Sequence, residues 1–363
     1  MADPNLISAL VLFLLGSIIL LDLNFLHYFV TNIIGSTLIL CAIYIGSKLV
    51  PRSRLNPKEK AVFISGCDTG FGHLLAVSLD KLGYWVFAGC LFPERDGAQQ
   101  LCKETSDRVT ILRCDITSDE CVEDVRNRVA EICQQQSLGL WAIVNNAGIW
   151  RRAEIEWTSM KQLKALMEVN LYGAIRITKA FLPMLRQSKG RVISVSSISG
   201  IWTCPSGGPY SMTKYGIEAL SDALRYEMYR FGVKVIMIEP GNFTGSTNVG
   251  DSVTIESEIW DNMDDVSRQD YGRNYIHKFV EKMTTYVKNS PNKDRTPVVN
   301  AMVDAVTSSS PKHRYLVGGM ITWTTYYLTY SYRLLPSWLT DYRAIKDFDS
   351  LPLPDILSKI KQN

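Results

Sequence analysis

The sequence predicts a doubly wound α/β fold, a parallel sheet covered by helices on both faces. Two observations carry that expectation: short apolar runs alternate with helix-length segments from Lys60 onward, and the first run passes directly into a glycine-rich turn. The runs are AVFIS (61–65), YWVFAG (84–89), RVTILRC (108–114), WAIVN (141–145), RVISVS (191–196) and VKVIMIE (233–239). Segments such as 118–136, 158–188 and 210–231 lie between them and are long enough for helices. A parallel connection must cross back over the sheet, and a helix fills that crossing, so the alternation itself implies parallel pairing.

The chain has 363 residues, 46% of them hydrophobic and 21% charged. That is enough for one enzyme-sized domain with extensions. The net charge of +3 is spread along the chain, which gives no reason to expect a nucleic-acid partner. The eight cysteines form no CxxC pair and there are only four histidines, so no metal site is expected and the thiols suit a reducing compartment.

The first 50 residues read as a membrane anchor. Residues 5–21 carry no charge, and neither do residues 25–46, which as a helix would reach roughly 33 Å, the span of a bilayer core. No basic n-region precedes them, and no Arg or Lys occurs in the first 47 residues, which argues against a signal or transit peptide. A transmembrane hairpin turning near Asp22–Asn24 is the expectation. A basic linker (51–59) follows, and with Lys48, Arg52, Arg54, Lys58 and Lys60 around it the positive-inside rule puts the rest of the chain on the cytosolic side. Residues 60–315 form the expected catalytic domain, with a substrate lid at about 242–290. Residues 316–363 form an aromatic cap and tail. The stretch 315–339, rich in Trp and Tyr, suits a membrane interface, so the lipid bilayer is an expected partner.

The glycine turn is SGCDTGFG (65–72). Gly66, Gly70 and Gly72 follow a strand and open a helix, where backbone N–H groups and a helix N-terminus can face a pyrophosphate. Such turns also arise merely to permit tight packing. Further along, Tyr210 and Lys214 in YSMTK share one face of a helix, and an ammonium beside a phenol makes it a usable acid/base. The pattern alone says little, since Tyr44 and Lys48 repeat it inside the apolar anchor. Asn145-Asn146-Ala147-Gly148 ends the fourth strand, Asn170 follows in a helical stretch, Ser196-Ser197 ends the fifth strand and Pro240-Gly241 ends the sixth.

In this ordered set the chain resembles the short-chain dehydrogenase/reductase family over roughly residues 60–320, which implies a Rossmann-type fold. The resemblance implies a catalytic set of Tyr210 as acid/base, Lys214 lowering its pKa and holding the nicotinamide ribose, Ser197 on the substrate oxygen and Asn170 in the proton relay. It implies a dinucleotide lined by Ser65, Gly66, Asp68, Gly70, Phe71, Gly72, Asp115, Asn145, Ala147, Gly148, Tyr210, Lys214, Pro240 and Gly241, with hydride moving directly to or from the nicotinamide and no metal.

Several positions depart from the family pattern. Ser65 replaces the usual Thr. Cys90 stands where NAD-binding members carry an acid, and no Arg beside Leu91 welcomes a 2′-phosphate, so NAD is the expected cofactor and NADP the alternative. Gly245, between Thr244 and Ser246, replaces the Thr that often follows the PG pair. The phrases GCDTGFG, LWAIVNNAGI and KYGIEALSDALRYEM are similar to a branch holding retinol dehydrogenases, 17-beta-hydroxysteroid dehydrogenase type 2 and D-3-hydroxybutyrate dehydrogenase. That branch implies a membrane protein, of the endoplasmic reticulum with a cytosolic catalytic domain or of the mitochondrial inner membrane. The substrate is then a small-molecule alcohol or ketone. Gly207, three residues before Tyr210, puts no cation beside it, which favours a lipophilic steroid- or retinoid-type alcohol. Arg151 and Arg152 are the candidates to hold the carboxylate of 3-hydroxybutyrate in the alternative. Association into a homo-oligomer is left open.

Overall fold

The computed structural model describes residues 28–40, 53–151, 153–243, 252–288, 292–318, 334–346 and 351–360. The chain divides into two units, Met1–Ser53 and Arg54–Asn363. In the first, residues 28–40 form a helix (α1) with exposed apolar side chains, among them Phe29, Ile34 and Leu38. The expected 5–21 segment lies outside the described residues, as do both ends of 25–46. Among the described residues no helix is long and apolar enough to cross a membrane.

The second unit is built on a seven-stranded sheet: β1 Lys60–Ser65, β2 Trp85–Cys90, β3 Val109–Arg113, β4 Gly139–Asn145, β5 Arg191–Val195, β6 Lys234–Pro240 and β7 Arg314–Val317. The order is β3-β2-β1-β4-β5-β6-β7, and every pair is parallel. The six expected strands are present, with ends differing by one or two residues. β7 straddles the expected boundary between catalytic domain and cap, while 319–333 lie outside the described residues. The central strands are apolar on both faces because helices cover both. On one face α2 (Gly70–Lys81), α3 (Asp96–Glu104) and α11 (Thr296–Thr307) bury Leu75, Leu79, Leu101, Val298 and Met302 against Val62, Ile64, Val86 and Ile236. On the other, α4 (Asp119–Gln135), α6 (Gly173–Ser188) and α7 (Gly208–Met228) bury Val125, Val129, Ile177, Phe181 and Leu224 against Phe63, Phe87, Ile143 and Val192. Burying such side chains contributes about 1.5–3 kcal/mol each, and this is what holds the layers.

Two polar devices tie the far side of the sheet. Arg191, at the start of β5 and 1% exposed, donates to the carbonyls of Ala305, Val306 and Ser308, satisfying the C-terminal carbonyls of α11. Arg314 on β7 binds three carboxylates: Glu218 and Asp222 of α7 and Glu239 of β6. Burial and the Glu218 charge push the Glu239 carboxyl up to about 7.

The segment expected as one helix over 158–188 is α5 (Met160–Met167), a π-helical turn (Glu168–Tyr172) and α6. The expected lid holds α8 (Ser252–Asn262), α9 (Asp265–Tyr271) and α10 (Arg273–Lys288), while 244–251 lie outside the described residues. These helices form their own small core around Trp157, which meets Tyr271, Tyr275 and Phe279 edge-on, and Leu351 of the C-terminal segment packs against it.

Candidate active site

In a doubly wound sheet the chain leaves neighbouring strands toward opposite faces at one point, and a crevice opens there beyond the strand ends. Here that point lies between β1 and β4. Ser65, Asp68, Asp115, Asn145 and Ser197 lie at or just past the C-terminal ends of their strands, and Tyr210 and Lys214 lie in the first turns of α7.

Gly66 and Gly70 have φ of +74° and +73°, a region that side chains other than glycine's adopt at a cost. A Cβ at Gly66 would stand 2.8 Å from the Ala147 Cα, and one at Gly72 would stand 2.2 Å from the Gly66 carbonyl oxygen. At Gly70, by contrast, a Cβ would meet nothing within 4 Å. The turn is therefore packed against β4 on one side and open on the other. Thr69, which precedes α2, makes no side-chain cap, and the first turn of the helix has no acidic residue, so among the described residues neither of these usual partners takes its N–H groups. That cradle fits a pyrophosphate, and with it a dinucleotide.

Ser65 and the end of β4 hold the turn in place. The Ser65 hydroxyl donates to the Val144 carbonyl (3.3 Å) and accepts the N–H groups of Asn146 (3.1 Å) and Ala147 (3.2 Å). Asn146, absent from the expected set, donates from Nδ2 to the carbonyls of Ser65 (3.0 Å) and Gly66 (2.9 Å). Asn145, which was in that set, turns the other way: its Nδ2 binds Thr178 (2.9 Å) and Ser194 (3.4 Å) in the interior. The period of two along a strand contains this answer, since consecutive residues point to opposite faces. Asp115 sits after β3 and accepts the N–H and hydroxyl of Thr117 on Oδ1. Phe71 packs edge-on to Phe243 just past Gly241. Asp68 reaches across to β2, accepting the N–H groups of Leu91 and Phe92.

Asn170 is buried in the π-helical turn. Its Oδ1 accepts the Ile149 N–H and its Nδ2 donates to the Ile149 carbonyl, both at 2.8 Å, with a further bond to Thr213 at 3.2 Å. A π-turn inserts a residue into the helix register and often marks a functional position. Thr213, the residue before Lys214, had no signal of its own in the sequence. Lys214 is buried and donates to the Val195 carbonyl at 2.9 Å. Its Nζ lies 5.6 Å from the centre of the Tyr210 ring. Ser197 donates to the Pro240 carbonyl (3.4 Å) and accepts the Ser199 N–H (3.1 Å), and it lies close enough to Tyr210 to pull the phenol's pKa down. Asn170 and Lys214 thus meet at Gly148, where a Cβ would stand 3.3 Å from Asn170 Oδ1 and 3.8 Å from Lys214 Nζ, and Tyr210 lies near both Lys214 and Ser197 in the same group.

Burial dominates the electrostatics. It pushes the Tyr210 phenol up to about 12, against the lowering effect of Ser197, and pulls the Lys214 ammonium down to about 8, against the raising effect of Glu218. Burial therefore sets the direction for both groups.

Of the candidate carboxylate-holding residues, Arg151 NH2 pairs with Glu258 of α8 at 3.1 Å, and Arg152 lies outside the described residues. Gly207 is buried, and a Cβ there would stand 2.6 Å from Cys204 Sγ and 3.0 Å from its carbonyl oxygen.

Residues 60–256 match the short chain dehydrogenase family model. The chain is 43% identical to mouse mitochondrial D-beta-hydroxybutyrate dehydrogenase over 261 residues, covering 70% of this chain and 76% of that one. It is 40% identical to rat retinol dehydrogenase 16 over 78% of this chain and 87% of the relative. It is 38% identical to mouse estradiol 17-beta-dehydrogenase 2 over 83% and 78%. Among solved structures, a short-chain dehydrogenase from Streptomyces avermitilis has the same fold, with a TM-score of 0.60 at 23% identity over 81% of this chain and all of the other. The seven-stranded parallel sheet, the glycine cradle and these relatives agree: the chain belongs to the short-chain dehydrogenase/reductase family, as an oxidoreductase acting on CH–OH groups.

Proposed function

We propose that the protein is a membrane-bound, NAD-linked dehydrogenase of a lipophilic secondary or allylic alcohol of steroid or retinoid type. Tyr210, as the phenolate, takes the alcohol proton on its oxygen. Ser197, beside that phenol, holds the substrate oxygen, and Lys214 and Asn170 complete the proton path. Lys214, once its ammonium has a negative partner, stabilises the phenolate and makes the transfer easier. The bound nicotinamide supplies the hydride acceptor. In the reverse direction Tyr210 returns its proton to the carbonyl oxygen.

One observation carries the substrate class: of the positions that could hold a carboxylate, neither of the two described, Gly207 and Arg151, offers a free cation. Gly207 sits where any side chain would press on Cys204, and the Arg151 guanidinium is engaged by Glu258. A carboxylate substrate needs such a cation, whereas a ring system needs only apolar surface to bury. Exposed Ile149, Trp150 and Ile155 beside the site supply it.

A second reading, 3-hydroxybutyrate, is favoured by the 43% identity to the hydroxybutyrate enzyme. In it Arg151 would exchange Glu258 for the substrate carboxylate. A panel of retinol, steroid alcohols and D-3-hydroxybutyrate with NAD decides between them. Turnover of hydroxybutyrate with none of any lipophilic alcohol overturns the first reading. The membrane part rests on the apolar 5–21 and 25–46 runs and is tested separately: deletion of residues 1–53 should move the protein from the carbonate-resistant membrane fraction to the supernatant.

A further inference from the structure

We propose that Asp68 is the carboxylate that selects the unphosphorylated adenosine ribose of NAD, acting from the turn before α2 instead of from the end of β2. The inference rests on the reading of the glycine turn as a dinucleotide cradle.

The end of β2 is where an acid would receive the ribose hydroxyls. In this chain the position is Cys90, which is fully buried and so points into the core. Its thiol is pushed up to about 12, so it brings no charge. The negative charge at this corner comes from the neighbouring loop. Asp68 Oδ2 accepts the Leu91 N–H at 3.0 Å and Oδ1 accepts the Phe92 N–H at 2.9 Å. The carboxylate therefore lies across the two amides that immediately follow the missing acid.

The loop has little freedom to move away. A Cβ at Gly97, in the first turn of α3, would stand 2.0 Å from the Asp68 carbonyl oxygen, so helix and turn are in direct contact. Asp68 is only half-buried. Each carboxylate oxygen has two acceptor sites, and the amides take one each, which leaves one on each oxygen for a ribose hydroxyl. A 2′-phosphate would meet the same group as charge against charge.

The cations nearby are Arg95 and Arg113. Arg95 lies flat over the Phe92 ring, 3.6 Å from its centre. Arg113, at the exposed end of β3, lines a hollow of about 640 Å³ with Leu91, Phe92, Pro93, Glu94 and Gln99. Glu94 shares that hollow and offsets Arg113, while Asp68 stands on the amides themselves.

The test is equilibrium binding of NADH and NADPH to the full-length protein in detergent, read by energy transfer from tryptophan to the reduced nicotinamide. Wild type should bind NADH at least about tenfold more tightly than NADPH, since a dianion a few ångströms from a carboxylate costs at least that much even in a solvent-rich site. Asp68→Asn keeps an acceptor and removes the charge. It should tighten NADPH and weaken NADH, bringing the two dissociation constants within about threefold of each other. Asp68→Thr carries the same expectation should the Asn variant not fold. Parallel weakening of both dinucleotides, or an unchanged ratio, would show that Asp68 only braces the loop and would overturn the proposal. So would a wild-type preference for NADPH that Arg113→Ala abolishes. If wild type binds neither dinucleotide, the cradle reading fails, and the proposal with it.

Discussion

Asn170 grips the backbone of Ile149 from both sides, accepting its N–H and donating to its carbonyl at 2.8 Å each. The two residues belong to different elements, a π-turn and the loop after β4, so one carboxamide fixes the position of that loop against the helix layer. Asn170→Ala removes both bonds to Ile149 and leaves a gap where the buried carboxamide stood. It should lower stability by about 1–3 kcal/mol and reduce kcat more than it raises KM. Thermal melting and steady-state kinetics check it. An unchanged kcat would leave Asn170 with a purely architectural part.

Tyr210→Phe removes only the hydroxyl. We expect turnover to fall by about 10²–10⁴ while the dissociation constant for NADH stays within a few-fold. Activity near wild type would remove Tyr210 as the acid/base.

The phenol is held up to about 12, so it is neutral in the free protein at physiological pH. Oxidation needs the base form, and kcat/KM reports the free enzyme. For alcohol oxidation kcat/KM should therefore climb from pH 6 toward 8, where Lys214 begins to lose its ammonium, while carbonyl reduction, which uses the phenol proton, should not climb with it. A flat oxidation profile would contradict the assignment.

Arg151→Ala separates the two substrate readings. It frees Glu258 and removes the cation. If a lipophilic alcohol is the substrate, its KM should change less than about threefold, the pair being partly exposed and worth little. If 3-hydroxybutyrate is the substrate, its KM should rise about tenfold or more.

Glu239 offers a stability test. Its carboxyl titrates at about 7 in the folded protein, whereas an unfolded Glu titrates near 4.3. Between those values the folded state holds a proton that the unfolded chain has lost, so stability falls as pH rises through the window and levels off above it. Glu239→Gln removes that slope. Its melting temperature relative to wild type should rise between pH 5 and pH 8, and a constant difference would count against the buried, raised carboxyl.

The strands were legible in the sequence because both of their faces are buried, which writes them as unbroken apolar runs such as AVFIS. Ser197, Tyr210 and Lys214 were legible from the order and spacing of the motifs, and they do meet. The π-turn was not, because residues 158–188 keep a helical pattern straight through it. Asn145 was read into the site and Asn146 left out of it, although the pleat turns Asn145 inward and Asn146 toward the glycine turn. The Arg151–Glu258 pair joins residues far apart in the chain through the fold of the lid, and nothing local in either segment announces it. Arg314 was equally silent, since its three carboxylates come from two elements that precede it.

The bonds that shape the glycine turn run from Ser65 and Gly66 to residues 144–147 on β4. A ribosome delivers those residues some eighty positions after the turn itself. Throughout that interval the nascent chain carries β1 and the whole of its glycine motif with one edge of the strand unpaired and the loop unsupported. Nucleotide can act as a folding ligand only after β4 has left the exit tunnel, so a chain truncated before Gly139 should gain no protection from protease when the dinucleotide is added.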